Sequence, residues 1–429
     1  MIIIDKALKK REEHNNPIRI AVIGAGEMAK GIINQITNYT PGIIVAATYN
    51  RTLKKVINLY ESVGIDNYKI IDKPSDFEKA ISGNIPIITQ NIEAICKEPK
   101  IDVIIEVTGT VNFAAETILL AIKNKKNVLS FNVEVDATLG PIINQKAKSA
   151  GVKYSVADGD QPGVTLNLYR FVKGMGFEPL LCGNIKGLQD HYRNPTTQMS
   201  FAAQWDMTPE MVTSFADGTK ISFEQACIAN ATGMQVAKRG MFGYHSDKHI
   251  DDLTDLYDIN QLKKLGGIVD YVVGAKPGPG VFIYAITNDP ISKKYLDYGK
   301  LGKGPLYSFY VPYHLLFFEI ANSIARLIDF DDIILTAKKG SMVDVVATAK
   351  TDLNKGDLID GFGGYKTYGV CENYPVSRKE KLLPMGLAEG CKLINNVKKD
   401  SVITYDDVEA PVNLISHTLR EEQNRIFKQ

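Results

Sequence analysis

The sequence predicts an α/β protein: a doubly wound parallel sheet, then an α+β region, then a small β-rich C-terminal part. Three observations carry this. The apolar run Ile18-Arg19-Ile20-Ala21-Val22-Ile23 passes directly into Gly24-Ala25-Gly26-Glu27-Met28-Ala29 and a helical pattern over 30–38. Strand-like runs at 43–49, 68–71, 101–107, 127–131 and 152–157 then alternate with helical patterns, among them 113–123 and 141–150. From about Asp332 the character changes to short β-like runs, 343–349 and 368–370, separated by turns at Lys355-Gly356-Asp357 and 361–364.

At 429 residues the chain suits two or three cores. The division read from it is 1–157 for the parallel sheet, 158–331 for a substrate, catalytic and oligomer-forming region, and 332–429 for the β-rich end. Fifty basic and forty-nine acidic side chains leave no net field to recruit nucleic acid or an anionic membrane. No run is long enough to span a bilayer, and the opening MIIIDKALKKREEHNN is too briefly apolar for a secretory leader, so a soluble cytoplasmic protein is expected. Cys96, Cys182, Cys227, Cys371 and Cys391 are odd in number and scattered, as suits reduced thiols. His191, His245, His249 and His314 have no metal-ligand spacing. The scattered carboxylates have none either, so the sequence leaves a divalent metal undecided.

The strand, GxGxxA and helix form a Rossmann-type dinucleotide fingerprint. Gly24 permits the tight turn, Gly26 lets a pyrophosphate approach the backbone, Glu27 and Met28 open the helix whose N-terminus faces it, and Ala29 lets helix and strand pack closely. The second strand ends at Asn50-Arg51-Thr52 with Lys54 and Lys55 behind it. An NAD site places a carboxylate there for the ribose 2′-hydroxyl, whereas an arginine accommodates a 2′-phosphate, so NADP(H) is the expected cofactor. Thr108 and Gly109 follow a strand in the position where the nicotinamide half lies, and Asn132 follows the next.

Candidate chemistry concentrates farther on. Asp158 and Asp160, in Asp158-Gly159-Asp160-Gln161-Pro162-Gly163, emerge at a strand end, although DG and PG pairs also read as plain turns. In the run Cys182 to Gln198, Lys186 and Asp190 lie on an expected loop, Asn194 is a favoured N-cap, Pro195 suits the first helical position, and a helix to about Trp205 should follow. Arg193, Asn194, Thr196, Thr197 and the first-turn N–H groups would make an anion pocket; a well-capped surface helix reads the same residues equally well. Lys220, in a polar turn before a helix capped by Ser222 and closed by Gly233, reaches the same anion in one reading and solvent in the other. Trp205, Tyr307, Tyr310 and Tyr313 lie among apolar neighbours and suit core or oligomer contacts rather than a stacking platform; a homo-oligomer is expected.

The runs Glu106-Val107-Thr108-Gly109-Thr110, 128–132 and Gly151-Val152 resemble the dinucleotide domain of homoserine dehydrogenases. That family carries Asn-Lys after the fifth strand, with the lysine reaching the active site; this chain has Asn132-Val133, which puts homoserine in doubt as substrate. Over nearly its whole length, through NVEVDATLGP, DGDQPGV, NIKGLQDHYRNPTTQ, MVTSFADGTKISFEQ, ANATGMQVAKRGM, GAKPGPGVF and GPLYSFYVPYHLL, the chain resembles the homoserine-dehydrogenase-like NAD(P)-dependent oxidoreductases with a C-terminal SAF-type domain. That group includes a 1-deoxy-D-xylulose 5-phosphate reductoisomerase-like enzyme. The resemblance implies an NADP-dependent oxidoreductase of a small phosphorylated ketose, in its sharpest form a 1-deoxy-D-xylulose 5-phosphate reductoisomerase, with a SAF-like module at 332–429; a reductase of another keto or aldehyde sugar or of an amino-acid semialdehyde, and a non-catalytic NADP-sensing protein, are the alternatives. Lys186, Asp158, Asp160 and Asp190 are the candidate catalytic groups.

Overall fold

The computed structural model describes residues 2–427, which fall into two compact units: Met1–Asp160 with Leu315–Thr336, and Gln161–His314 with Ala337–Gln429.

The first unit holds a seven-stranded sheet in the order β3-β4-β2-β1-β5-β6-β7, with every pairing parallel. The strands are β1 Ile18–Ile23, β2 Ile43–Tyr49, β3 Lys69–Ile70, β4 Ile87–Thr89, β5 Val103–Glu106, β6 Asn127–Ser130 and β7 Tyr154–Val156. Strands β1, β5 and β6 are almost entirely buried, as continuous apolar runs require when helices cover both faces. The helix Glu27–Tyr39 shows why it lies on the sheet: Ala29, Ile32, Ile33 and Ile36 fall on one face and are fully or nearly fully buried. Burying each isoleucine stabilises the fold by roughly 1.5–3 kcal/mol. The register pairs Ile23 with both Tyr49 and Glu106, which sets the ends of β1, β2 and β5 level. The turns at Gly24, Asn50 and Thr108 therefore leave one edge of the sheet, where the strand order reverses about β1.

Two features differ from the sequence reading. The helix expected from residue 141 begins at Val133, because the Asn132 side chain caps it, accepting from the Val135 N–H at 3.0 Å; Pro141 lies inside this helix. The return segment belongs to the first unit, not to the substrate region. Its helix Ile320–Asp329 buries Ile320, Ile324, Ala325 and Leu327 in the same cluster as β1 and the Glu27–Tyr39 helix.

The second unit is built on a mixed sheet, β12-β11-β8-β10-β9, of β8 Glu178–Lys186, β9 Tyr244–His245, β10 Ile268–Val273, β11 Gly280–Ile286 and β12 Tyr307–Val311. Strand β8 runs parallel to β10 and antiparallel to β11. The antiparallel pair β13 Val343–Ala349 and β14 Thr367–Asn373 is buried along almost its whole length, so it needs cover on both faces. The helix Thr219–Thr232 supplies part of it. Thr219 Oγ1 accepts from Gly369 N at 2.9 Å, Ser222 Oγ donates to Gly369 O, and Asn230 Oδ1 accepts from the Met342 and Val343 N–H groups. The β-rich end thus shares one compact unit with residues 161–314, which departs from the three-part division. A buried Arg420–Asp344 pair, 2.9 and 2.5 Å, fastens the terminal helix Ile415–Ile426 to β13.

No helix among the described residues is long and apolar enough to cross a membrane.

Candidate functional site

In the first unit the fingerprint has the geometry its residues demand. Gly24 adopts φ +131°, and a side chain there would press on Val107 at 2.9 Å, so both backbone and space require glycine. A Cβ at Gly26 would meet nothing within 4 Å, and Gly26 opens the Glu27–Tyr39 helix without any side-chain cap. An uncapped helix start beneath open space is what a pyrophosphate needs, so the residues fit a dinucleotide. At the end of β2, Asn50 Oδ1 accepts from Thr52 N at 2.8 Å, and Gln90 donates to Arg51 O at 2.6 Å. These bonds fix the turn while the Arg51 side chain stays exposed.

Glu106, at the end of β5, escapes the sequence reading. It is fully buried, accepts from Thr108 N at 2.7 Å and from the Thr108 and Ser130 hydroxyls, and burial pushes its carboxyl up to about 7. Its bonds set the Thr108-Gly109 turn. Asn132 joins that turn to the next helix, its Nδ2 donating to Thr110 O.

Asp158 is committed to packing. Its carboxylate lies 3.1 Å from Arg326 Nη1, both side chains being nearly inaccessible, and Ser323 Oγ accepts from its N–H at 2.7 Å. Asp158, a candidate catalytic group, is thus part of a buried ion pair with the segment 315–336. Gly159, at φ +82°, accepts from Leu316 N at 2.7 Å, and a side chain there would strike that segment. Glu319 lies beside it, pushed up to about 7 by burial and then by the Asp158 charge. Asp160 is buried. Residues Gln161 to Gly163, read as a turn, form the first turn of the helix Gln161–Gly174.

In the second unit Lys186 ends β8, rather than lying on a loop, and its ammonium donates to Phe215 O at 2.9 Å. Burial lowers its pKa; Glu224 and then Asp217 oppose that, and Lys220 adds to it. The carboxylates whose charge acts on Lys186 within its unit are Glu224 and then Asp217, neither of them evident from the sequence. Asp217 is fully buried, its pKa raised by that burial against the pull of Lys350, which contacts it at 2.9 Å. Lys220 lies inside the helix Thr219–Thr232, not before it, and Ser222 caps nothing, bonding back to Gly218 O.

Asp190 and Arg193 are brought together at 3.1 Å, and Asp190 N donates to Ala216 O, tying this loop to the turn before Thr219. Asn194 and Thr197 form a reciprocal capping box on the helix Pro195–Gln204. Since Pro195 has no N–H and Thr197 N is taken by Asn194, Thr196 N is the one first-turn donor of the three left for an anion. The Thr196 hydroxyl bonds Tyr365 OH at 2.8 Å. The helix start thus offers fewer donors than the sequence leads one to expect, and the Arg193 guanidinium beside it is paired with Asp190.

Among the described residues no group of three or more His, Cys, Asp or Glu side chains is arranged to hold a metal.

The dinucleotide fingerprint of the first unit points to a nicotinamide cofactor, and comparison with known proteins agrees. Residues 24–157 match the family described as homoserine dehydrogenase, NAD binding domain, and residues 159–320 match oxidoreductase DRL, catalytic domain. The chain is an NAD(P)-dependent oxidoreductase, similar over those two stretches to these two domains. It is similar to the homoserine dehydrogenases of Bacillus subtilis, 24% identical over 31% of this chain, and of Synechocystis sp., 28% identical over 32%. The matched stretch spans 28% of the length of each relative. A scyllo-inositol dehydrogenase from Lactobacillus casei, solved with NAD(H) and scyllo-inositol, is 12% identical with a TM-score of 0.41 over 75% of this chain and 92% of that one.

Proposed function

We propose that the protein is an NADP-dependent reductase of a small phosphorylated ketose, with Lys186 as the group that stabilises the reacting oxygen. The carrying observation is the Lys186 ammonium at the end of β8, part-buried, held on Phe215 O and under the charges of Glu224 and Asp217, within the stretch that matches a catalytic domain. Reduction of a carbonyl leaves an alkoxide, which a positioned ammonium stabilises and can protonate. The nicotinamide, when bound, supplies hydride. Glu224 and Asp217 hold Lys186 toward its charged form against burial. Asp190 orients Arg193, whose remaining N–H groups would take a phosphate, with Thr196 N and Lys220 as further donors. Valine at 133, where homoserine dehydrogenases carry lysine, argues against homoserine. The sharpest version is 1-deoxy-D-xylulose 5-phosphate reductoisomerase activity, the first committed step toward isoprenoids. In the same reading residues 332–429 are a SAF-like module and the protein acts as a homo-oligomer.

Two variants test the parts. Arg51→Ala should weaken NADPH binding at least tenfold while leaving NADH nearly unchanged, since an exposed guanidinium at the end of β2 serves the 2′-phosphate alone. Fluorescence titration with both cofactors reads it, and equal losses would remove the NADP assignment. Arg193→Ala should raise KM for a phosphorylated substrate about tenfold or more and leave its dephosphorylated analogue nearly untouched. If both substrates suffer alike, Arg193 serves only to hold Asp190 and the loop.

A further inference from the structure

Lys350 follows β13 in sequence, outside the stretch that matches a catalytic domain, and is 5% exposed. Burying an ammonium costs several kcal/mol unless all its protons are satisfied. Here they are: Nζ donates to Asp217 Oδ2 at 2.9 Å, to Arg193 O at 2.8 Å and to Gly364 O at 2.8 Å. One side chain thus joins the loop before the helix Pro195–Gln204, the turn before the helix Thr219–Thr232, and the turn before β14. The other Asp217 oxygen accepts from Thr219 N, and His191 Nδ1 lies 2.6 Å from Asp217 O. Lys186 is anchored two residues away, on Phe215 O.

We propose that Lys350 is a positioning residue for the Lys186 centre: by holding the Asp217 carboxylate it fixes how much negative charge Lys186 meets. This rests on the reading of Lys186 as the group at the reacting oxygen. The ammonium groups of the cluster are Lys186, Lys220 and Lys350, and the carboxylates are Asp217 and Glu224. Arg193 and Asp190 pair with one another beside it. Remove Lys350 and Asp217 loses its partner, leaving Lys186 as an ammonium that its charge acts on. The protonated form of Lys186 is then favoured and titrates at higher pH. A residue that merely braced the fold would cost stability without moving that titration.

The test compares wild type, Lys350→Met and Lys350→Met/Asp217→Asn. One readout is kcat/KM for NADPH-dependent reduction against pH. The other, independent of turnover, is the pH dependence of Lys186 acetylation by trace acetic anhydride, read by mass spectrometry. In Lys350→Met the alkaline limb and the labelling midpoint should both rise by about one pH unit, the effect of one unmatched near charge. In the double variant, where neutral groups replace the pair, both should return to wild type. A folded single variant with neither moved overturns the proposal, and so does a double variant shifted as far as the single. Should the single variant fail to fold, a double variant that folds with the wild-type midpoint supports the proposal, and one with a shifted midpoint overturns it. Failure of the Lys186 reading looks different: Lys186→Met would retain turnover, while the labelling midpoint would still move with Lys350.

Discussion

Lys186→Met should lower kcat by roughly a hundredfold to a thousandfold, the usual cost of losing one preorganised donor at a developing oxyanion. Methionine preserves most of the side-chain volume, and the hydrogen bond it removes is the one to Phe215 O on the surrounding backbone. Dinucleotide affinity should stay within about twofold, because Gly24, Gly26 and the Glu27–Tyr39 helix belong to the other compact unit. Stopped-flow turnover and fluorescence-monitored NADPH binding separate the two. Turnover within tenfold of wild type would sink the role of Lys186, and lost NADPH binding would move it into the cofactor site.

Arg326→Met should destabilise the first unit by about 3–5 kcal/mol, the cost of leaving a buried charge without its partner. Arg326 is 1% exposed and is held between Asp158 at 3.1 Å and Asp332 at 2.7 Å. Without it Asp158 is left buried beside Glu319, whose carboxyl is already raised by burial and then by that neighbour. The melting transition of this unit should fall by roughly 6–20 °C. The double variant Arg326→Met/Asp158→Asn should recover much of the loss, because the orphaned charge goes too. Calorimetry showing less than about 1 kcal/mol for the single variant would mean that the pair is solvated, contrary to its burial.

How far the sequence reveals this architecture depends on the range of the interactions. The dinucleotide sheet and the helix Pro195–Gln204 are legible because their signals are local: Gly24-Ala25-Gly26 directly after a strand, and Asn194-Pro195 directly before that helix, each specify their own neighbourhood. Pro141 misleads for the same reason, since it reads as a helix start, whereas the start is set by the Asn132 cap well upstream. Asp158 stands out as a carboxylate at a strand end, but its partner Arg326 is 168 residues away and carries no local mark. The apolar spacing of 320–329 announces a buried helix without saying which core buries it. The lysine centre is half visible. Lys186 stands out in its glycine-flanked run, while Asp217, Glu224 and Lys350 join it only through tertiary packing, Lys350 and Asp217 being 133 residues apart.

The central claim is that this chain moves hydride from NADPH to a small phosphorylated ketose, and a substrate panel tests it most directly. NADPH oxidation should be followed spectrophotometrically with phosphorylated and free keto sugars, 1-deoxy-D-xylulose 5-phosphate among them, and with amino-acid semialdehydes. Products should be analysed for skeletal rearrangement. The account predicts turnover with a phosphorylated ketose, lost in Lys186→Met and faster with NADPH than with NADH. Turnover confined to semialdehydes or unphosphorylated sugars, or faster with NADH, would contradict it.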